Sequence, residues 1–115
     1  MQPSAEDAGF LSDMLRMALS ARGFVEDMSF EAYRVSSLHQ NAVQYSLVII
    51  GEAAGRISTP FRAAHPEIAW RLIVDQRNIL VHGFSQIQHY RIWLVLQDDL
   101  PQLITQLRPL LPEES

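Results

Sequence analysis

One hundred and fifteen residues, 48% of them hydrophobic, suit one domain with its own core and are too apolar for a disordered chain. Cysteine is absent, which excludes a disulfide framework and thiolate metal sites and fits a reducing compartment. The net charge of −4 argues against a protein that coats nucleic acid nonspecifically, yet leaves room for a small site where arginines, the sole basic residue type besides histidine, meet phosphate.

The N-terminus, Met1-Gln2-Pro3-Ser4-Ala5, has neither a basic nor an apolar leader, so no signal peptide is expected. The run Leu47-Val48-Ile49-Ile50 is far short of a membrane span. A cytoplasmic location is the expectation. Helical spacing appears throughout, and strand alternation and hairpin dipeptides do not. The first helix is predicted from about Glu6 to Asp27, with Phe10, Met14, Met17, Ala21, Phe24 and Met28 as its apolar stripe. Ser29 can cap a short turn, Phe30 to Tyr33. A second long helix runs from about Ser37 to Ile57. Leu38, Ala42, Tyr45, Ile49, Ala53 and Ile57 form one stripe, and Val43, Leu47, Ile50 and Ala54 widen it, so this helix should be the central one.

Thr59 as cap and Pro60 in the first turn open a short helical turn. Pro66 and Glu67 start the next helix, which carries Ile68, Leu72, Ile73, Ile79 and Leu80 and stops at Gly83. The last helical region spans about Gln86 to Leu110, with Trp93, Leu96, Leu100, Leu103, Leu107 and Leu110 on one side. Pro101 lies inside it, and Asp98 or Asp99 could cap a restarted helix, so a kink is expected there. The fold class is all-α: a four-to-five-helix up-down bundle, one domain over residues 1–111, with 112–115 a disordered tail.

No Gly-x-Ser-x-Gly, His-Glu-x-x-His or phosphate-loop signature is present. Gly51 and Gly55 are spaced to let another helix approach closely, either from this chain or from a second copy. Reactive chemistry concentrates in Arg77-Asn78-Ile79-Leu80-Val81-His82-Gly83-Phe84. Asn78 and His82 are four apart and share a helix face, and Arg77 is about 100° round from Asn78 on a side chain long enough to swing. An imidazole that exchanges protons near neutral pH and a guanidinium that holds phosphate suffice for RNA cleavage by the ribose 2′-hydroxyl. Taken on residues alone, the plainer account carries more weight: a histidine that suits a helix C-terminus and an arginine in a surface salt bridge.

The segment resembles the Arg-x4-His-x-Tyr motif of HepT-like toxins in the HEPN superfamily. The likeness continues through Ala42-Val43 to Ile49-Ile50-Gly51-Glu52-Ala53-Ala54, His65-Pro66-Glu67-Ile68-Ala69-Trp70, and Trp93 to Asp99-Leu100-Pro101, covering roughly Leu11 to Leu111 in order. That resemblance implies a helical bundle that forms a homodimer, with two Arg/His motifs beside one cleft. It implies a metal-independent endoribonuclease acting on transfer or messenger RNA, with no cofactor. His82 would be the general acid or base, Arg77 would stabilise the phosphate, and Asn78 would position one of them. Glu52 lies in the matching signature, where pairing with Arg56 four residues on is the simpler role.

The resemblance also implies a partner, an MntA-type minimal nucleotidyltransferase antitoxin that transfers AMP to the motif tyrosine. Here that position is Phe84, which has no hydroxyl. Tyr90 is the nearest phenol, and His89 before it is either an extra site group or, the plainer reading, a solvent-exposed histidine. Inhibition by binding alone, use of Tyr90, or an attenuated toxin are the three consequences. Two further readings stand beside the toxin: a non-catalytic nucleotide-binding subunit of a minimal nucleotidyltransferase, and a structural helical dimer.

Overall fold

Serine side chains begin the first four helices. Ser4, Ser29, Ser36 and Ser58 each turn an oxygen onto the backbone N–H three residues on, at 3.0, 3.1, 3.3 and 3.4 Å. In the computed structural model, which describes residues 2–111, these caps open α1 (Ala5–Phe24), α2 (Phe30–Arg34), α3 (Ser37–Arg56) and α4 (Thr59–Ala64). The tail 112–115, expected to be disordered, lies outside the described residues. Ser58 caps α4, rather than Thr59. Its hydroxyl is fixed by the buried carboxylate of Asp7, which accepts the Ser58 N–H at 2.8 Å and the Ser58 hydroxyl at 2.6 Å. This contact ties the end of α3 to the start of α1, so the two helices run antiparallel.

α5 (Trp70–His82) starts later than Pro66 and Glu67 had led us to expect. Those two residues instead form a turn that buries Ile68 beside the core. Trp70 closes it, its indole N–H donating to the His65 carbonyl at 2.9 Å. α5 runs antiparallel to α3, with Val74 opposite Gly55 and Arg77 opposite Gly51. After a single 3-10 turn (Phe84–Gln86), α6 (His89–Leu94) and α7 (Leu100–Leu107) return along the bundle.

α6 and α7 are one helical run joined through a π turn, Val95–Asp99. This is the distortion expected near Pro101, in a different form. Asp99 keeps helical angles and makes no capping bond, so nothing restarts. The Leu100 N–H instead bonds the Val95 carbonyl five residues back, which widens the turn ahead of the proline ring. In that register the absent Pro101 N–H would have served the Leu96 carbonyl. Arg22 of α1 supplies the missing donor, its Nη1 reaching that oxygen at 3.1 Å.

The bundle is thus up-down-up-down: α3 packs between α1 and α5, and the C-terminal run lies against α1. Its core stripe on α1 is Leu11, Met14, Ala18, Ala21 and, just past the helix, Val25. The expected stripe was one position off; Phe24 is exposed and Phe10 and Met17 only flank the core. On α3 the residues expected to widen the stripe, Val43, Leu47, Ile50 and Ala54, are its centre, whereas Leu38 and Tyr45 are 75% and 65% exposed. On α7 the predicted Leu100, Leu103 and Leu107 are buried. No described helix is long and apolar enough to cross a membrane.

Tyr33 of α2 is fully buried among Trp93 and His89, and its hydroxyl has no hydrogen-bond partner among the described residues. Burial pushes the phenol up to about 12. The sign follows from linkage. Above pH 10 the unfolded chain loses the phenolic proton and the folded chain keeps it, so stability falls between pH 10 and about 12. The loss is on the order of 2 kcal/mol. Tyr33→Phe should leave the urea midpoint at pH 7 unchanged or higher and flatten its decline at pH 11. A lower midpoint at pH 7 would show that the hydroxyl has a partner after all.

Candidate active site on helix α5

α5 crosses α3 at Gly51. A Cβ built there would lie 2.2 Å from Arg77 Cβ, 2.8 Å from Arg77 Cγ and 3.2 Å from the Ile73 carbonyl oxygen. A residue without a side chain therefore lets the stem of Arg77 lie across α3. The occupant of the Gly51 contact, left open by the sequence, is α5 of the same chain. Gly55 is looser, with Val74 at 3.8 Å from its notional Cβ.

Laid over Gly51, Arg77 reaches the next residue of α3. Its Nε donates to Glu52 Oε1 at 2.8 Å, and its Nη2 donates to the same oxygen. Its Nη1 donates to Asn78 Oδ1 at 2.9 Å. Glu52 thus pairs with Arg77, twenty-five residues away, and not with Arg56 one turn on. The i,i+4 expectation fails because the Arg77 stem, laid over Gly51, brings its guanidinium beside Glu52, where Arg56 would have to be ordered from solvent. Of the five guanidinium N–H groups, three are used, leaving one on each terminal nitrogen. Two such donors can hold two oxygens of one phosphate.

His82 is the last residue of α5 and is exposed; none of the side-chain hydrogen bonds among the described residues involves it. Gly83 ends the helix as expected, its N–H on the Ile79 carbonyl at 2.8 Å, with φ −107° in the ordinary region. Asn78 is exposed and shares the His82 face. Arg77 reaches Asn78 but has not swung toward His82. It is about 140° round from His82 and about 7.5 Å along the axis, and its head group is turned to α3. The structure therefore brings Arg77, Glu52 and Asn78 together and sets His82 apart at the helix end. Asn78 and His82 are exposed and Arg77 partly so; the groove of about 300 Å³ between α5 and α7, lined by Leu72, Ile73, Gln76 and Leu103, includes none of them.

Tyr90 stands elsewhere. Its ring packs edge-on against Phe30 of α2, centroids 5.1 Å apart, while Arg91 and Ile92 of α6 line a cleft shared with Ile79 and Leu80 of α5. His89 is half-buried with its ring 6.3 Å from that of Tyr33, a packing role rather than the solvent-exposed one expected. The Phe84 side chain lies outside what the structure describes. Among the described residues no three of His, Asp and Glu are grouped to hold a metal ion.

The sequence matches a known family along most of the chain. The model of the "Ribonuclease HepT-like" family matches residues 14–110, which include every element from the middle of α1 through α7. A Methanocaldococcus jannaschii protein named "Putative RNase MJ1380" is 32% identical over 94 residues, covering 82% of this chain and 86% of that protein. A Thermococcus cleftensis protein named "Probable ribonuclease HepT" is 31% identical over 94 residues, with the same shares covered. No solved structure matches. On this extent of match, the chain belongs to the HepT-like ribonuclease family.

Proposed function

We propose that this chain is a metal-independent endoribonuclease, the toxin of a two-component toxin–antitoxin system acting in the cytoplasm. The observation that carries the reading is Arg77: a guanidinium fixed by Glu52 and Asn78 with two N–H groups to spare, on the helix that ends in an exposed imidazole without a hydrogen-bond partner among the described residues. Membership of a ribonuclease family supports it.

In this reading the RNA backbone lies across the exposed face of α5. The His82 imidazole takes the proton from a ribose 2′-hydroxyl, whose oxygen attacks the adjacent phosphorus. Arg77 holds the non-bridging oxygens as charge grows on the phosphorane, and Asn78 keeps the guanidinium in plane. The bond to the 5′-oxygen breaks, that oxygen takes a proton, and the products are a 2′,3′-cyclic phosphate and a 5′-hydroxyl. Because Arg77 and His82 diverge within one copy, a homodimer with two motifs beside one cleft supplies both groups, one imidazole as base and the other as acid. The exposed Leu38 and Tyr45 on α3 and Val81 on α5 give such a dimer apolar surface to cover.

The partner proposed is an MntA-type nucleotidyltransferase antitoxin. Phe84 has no hydroxyl to accept AMP, and Tyr90, though exposed, stands on α6 beside Phe30 rather than at the motif position, so inhibition through binding is favoured over modification. The same absence of a motif phenol favours one alternative, a non-catalytic helical subunit of a minimal nucleotidyltransferase. Cleavage decides between them. Purified protein should cut RNA in EDTA and leave 2′,3′-cyclic phosphate and 5′-hydroxyl ends. Loss of cutting on chelation, or 3′-hydroxyl and 5′-phosphate ends, would sink the metal-free mechanism. No cutting in any condition would leave the alternative.

A further inference from the structure

Among the described residues, Arg77–Glu52 is the only ion pair that joins two helices; Arg34–Glu31 and Arg71–Asp75 each lie within one helix, and His65–Glu67 within one turn. Both side chains are partly exposed, at 26% and 38%. A pair this open adds little stability. Yet it requires a glycine inside α3, a poor helix residue. The geometry is also specific. Two guanidinium nitrogens converge on one carboxylate oxygen, which fixes the guanidinium plane, while Asn78 takes the other terminal nitrogen. A contact that adds little stability but sets the direction of two free N–H donors has its effect at the site.

We infer that Glu52 is a positioning residue for the ribonuclease reaction, acting through Arg77. It has two effects. It aims the remaining N–H groups, so that their bonds are strongest where the phosphorane oxygens develop. It also offsets the arginine's charge, so that the resting phosphodiester is held weakly and not trapped. This rests on reading Arg77 as the phosphate contact.

Two variants of the full chain separate the effects. Glu52→Gln removes the charge but keeps an oxygen that can accept from Nε. Glu52→Ala removes both. With melting temperatures checked first, each is assayed on a fluorescent RNA oligonucleotide. KM should fall in both. kcat should fall on the order of a hundredfold in Glu52→Ala and much less in Glu52→Gln. A merely structural pair would move the melting temperature and leave KM and kcat of the folded protein unchanged, and that result overturns the inference. So does an equal kcat in the two variants.

Two readouts need no turnover. The Arg77 Nε–H resonance, identified by its loss in Arg77→Lys, should be protected from exchange in wild type and in Glu52→Gln and unprotected in Glu52→Ala. A 2′-O-methyl oligonucleotide, which cannot be cleaved, should bind both Glu52 variants more tightly than wild type. Should wild type cleave no RNA, the ribonuclease reading fails, while these two measurements still decide whether Glu52 aims and offsets Arg77. An unprotected resonance in wild type, or unchanged oligonucleotide affinity, rules it out.

Discussion

His82→Ala should lower RNA cleavage by about two to four orders of magnitude, the usual contribution of a positioned acid or base. That corresponds to about 3–5 kcal/mol of transition-state stabilisation. The fold should not notice. The imidazole is exposed, makes none of the side-chain hydrogen bonds among the described residues, and sits at a helix end. Only a helix-dipole interaction is lost, about 0.3–1 kcal/mol at an exposed site, partly offset by alanine's better helix propensity. His89→Ala is the matched control. That ring is half-buried against Tyr33, so its loss should cost about 1–3 kcal/mol of stability and leave the folded protein active. Calorimetry and an RNA assay on the two variants should therefore give opposite patterns. Retained cleavage by His82→Ala, after contaminating nucleases are excluded, removes this imidazole from the reaction.

The contrast between these histidines was only half legible in the sequence. His82 could be placed at a helix end because Gly83 follows it, and helix ends are exposed. His89 looked equally exposed, because what covers it comes from Tyr33, fifty-six residues earlier. The same limit runs through the fold. Local signals located the elements: Ser29 before Phe30, the apolar run after Ser37, the leucines of α7. They did not choose the face. α1 offers two overlapping stripes that share Met14 and Ala21, and packing against its neighbours in the bundle selects the one with Leu11, Ala18 and Val25. α5 was placed too early because Pro66 and Glu67 have the chemistry of a first turn; the Trp70 indole on the His65 carbonyl, which fixes the real start, is a tertiary contact.

At the site, the motif supplied Arg77, Asn78 and His82, but spacing gave Glu52 the wrong partner. The i,i+4 rule compares residues on one helix, and the true pair bridges two. The swing of Arg77 toward His82 was plausible on side-chain length alone. It does not occur, because the stem is held against Gly51 and the head group against Glu52.

Gly51 is where fold and site meet, and it yields the second large effect. In Gly51→Ala the new methyl would overlap Arg77 Cβ at 2.2 Å and crowd the Ile73 carbonyl at 3.2 Å. Neither is the free end of a flexible chain, so α5 must move away from α3. Overpacking of this kind costs about 1–3 kcal/mol, or a fall of several degrees or more in melting temperature for a domain of this size. The displaced Arg77 then loses its aim, and cleavage should drop on the order of a hundredfold even in the folded fraction. Gly55→Ala tests the cause. It removes the other half of the same spacing, but its methyl meets only Val74, at an ordinary 3.8 Å. The helix gains up to about 1 kcal/mol from losing a glycine, so this variant should be as stable as wild type or more so, and equally active. Loss of stability in both would mean that α3 and α5 approach along their whole length, so that the close passage over Gly51 is no special seat for Arg77. Loss in Gly51→Ala alone ties the glycine to the arginine it carries.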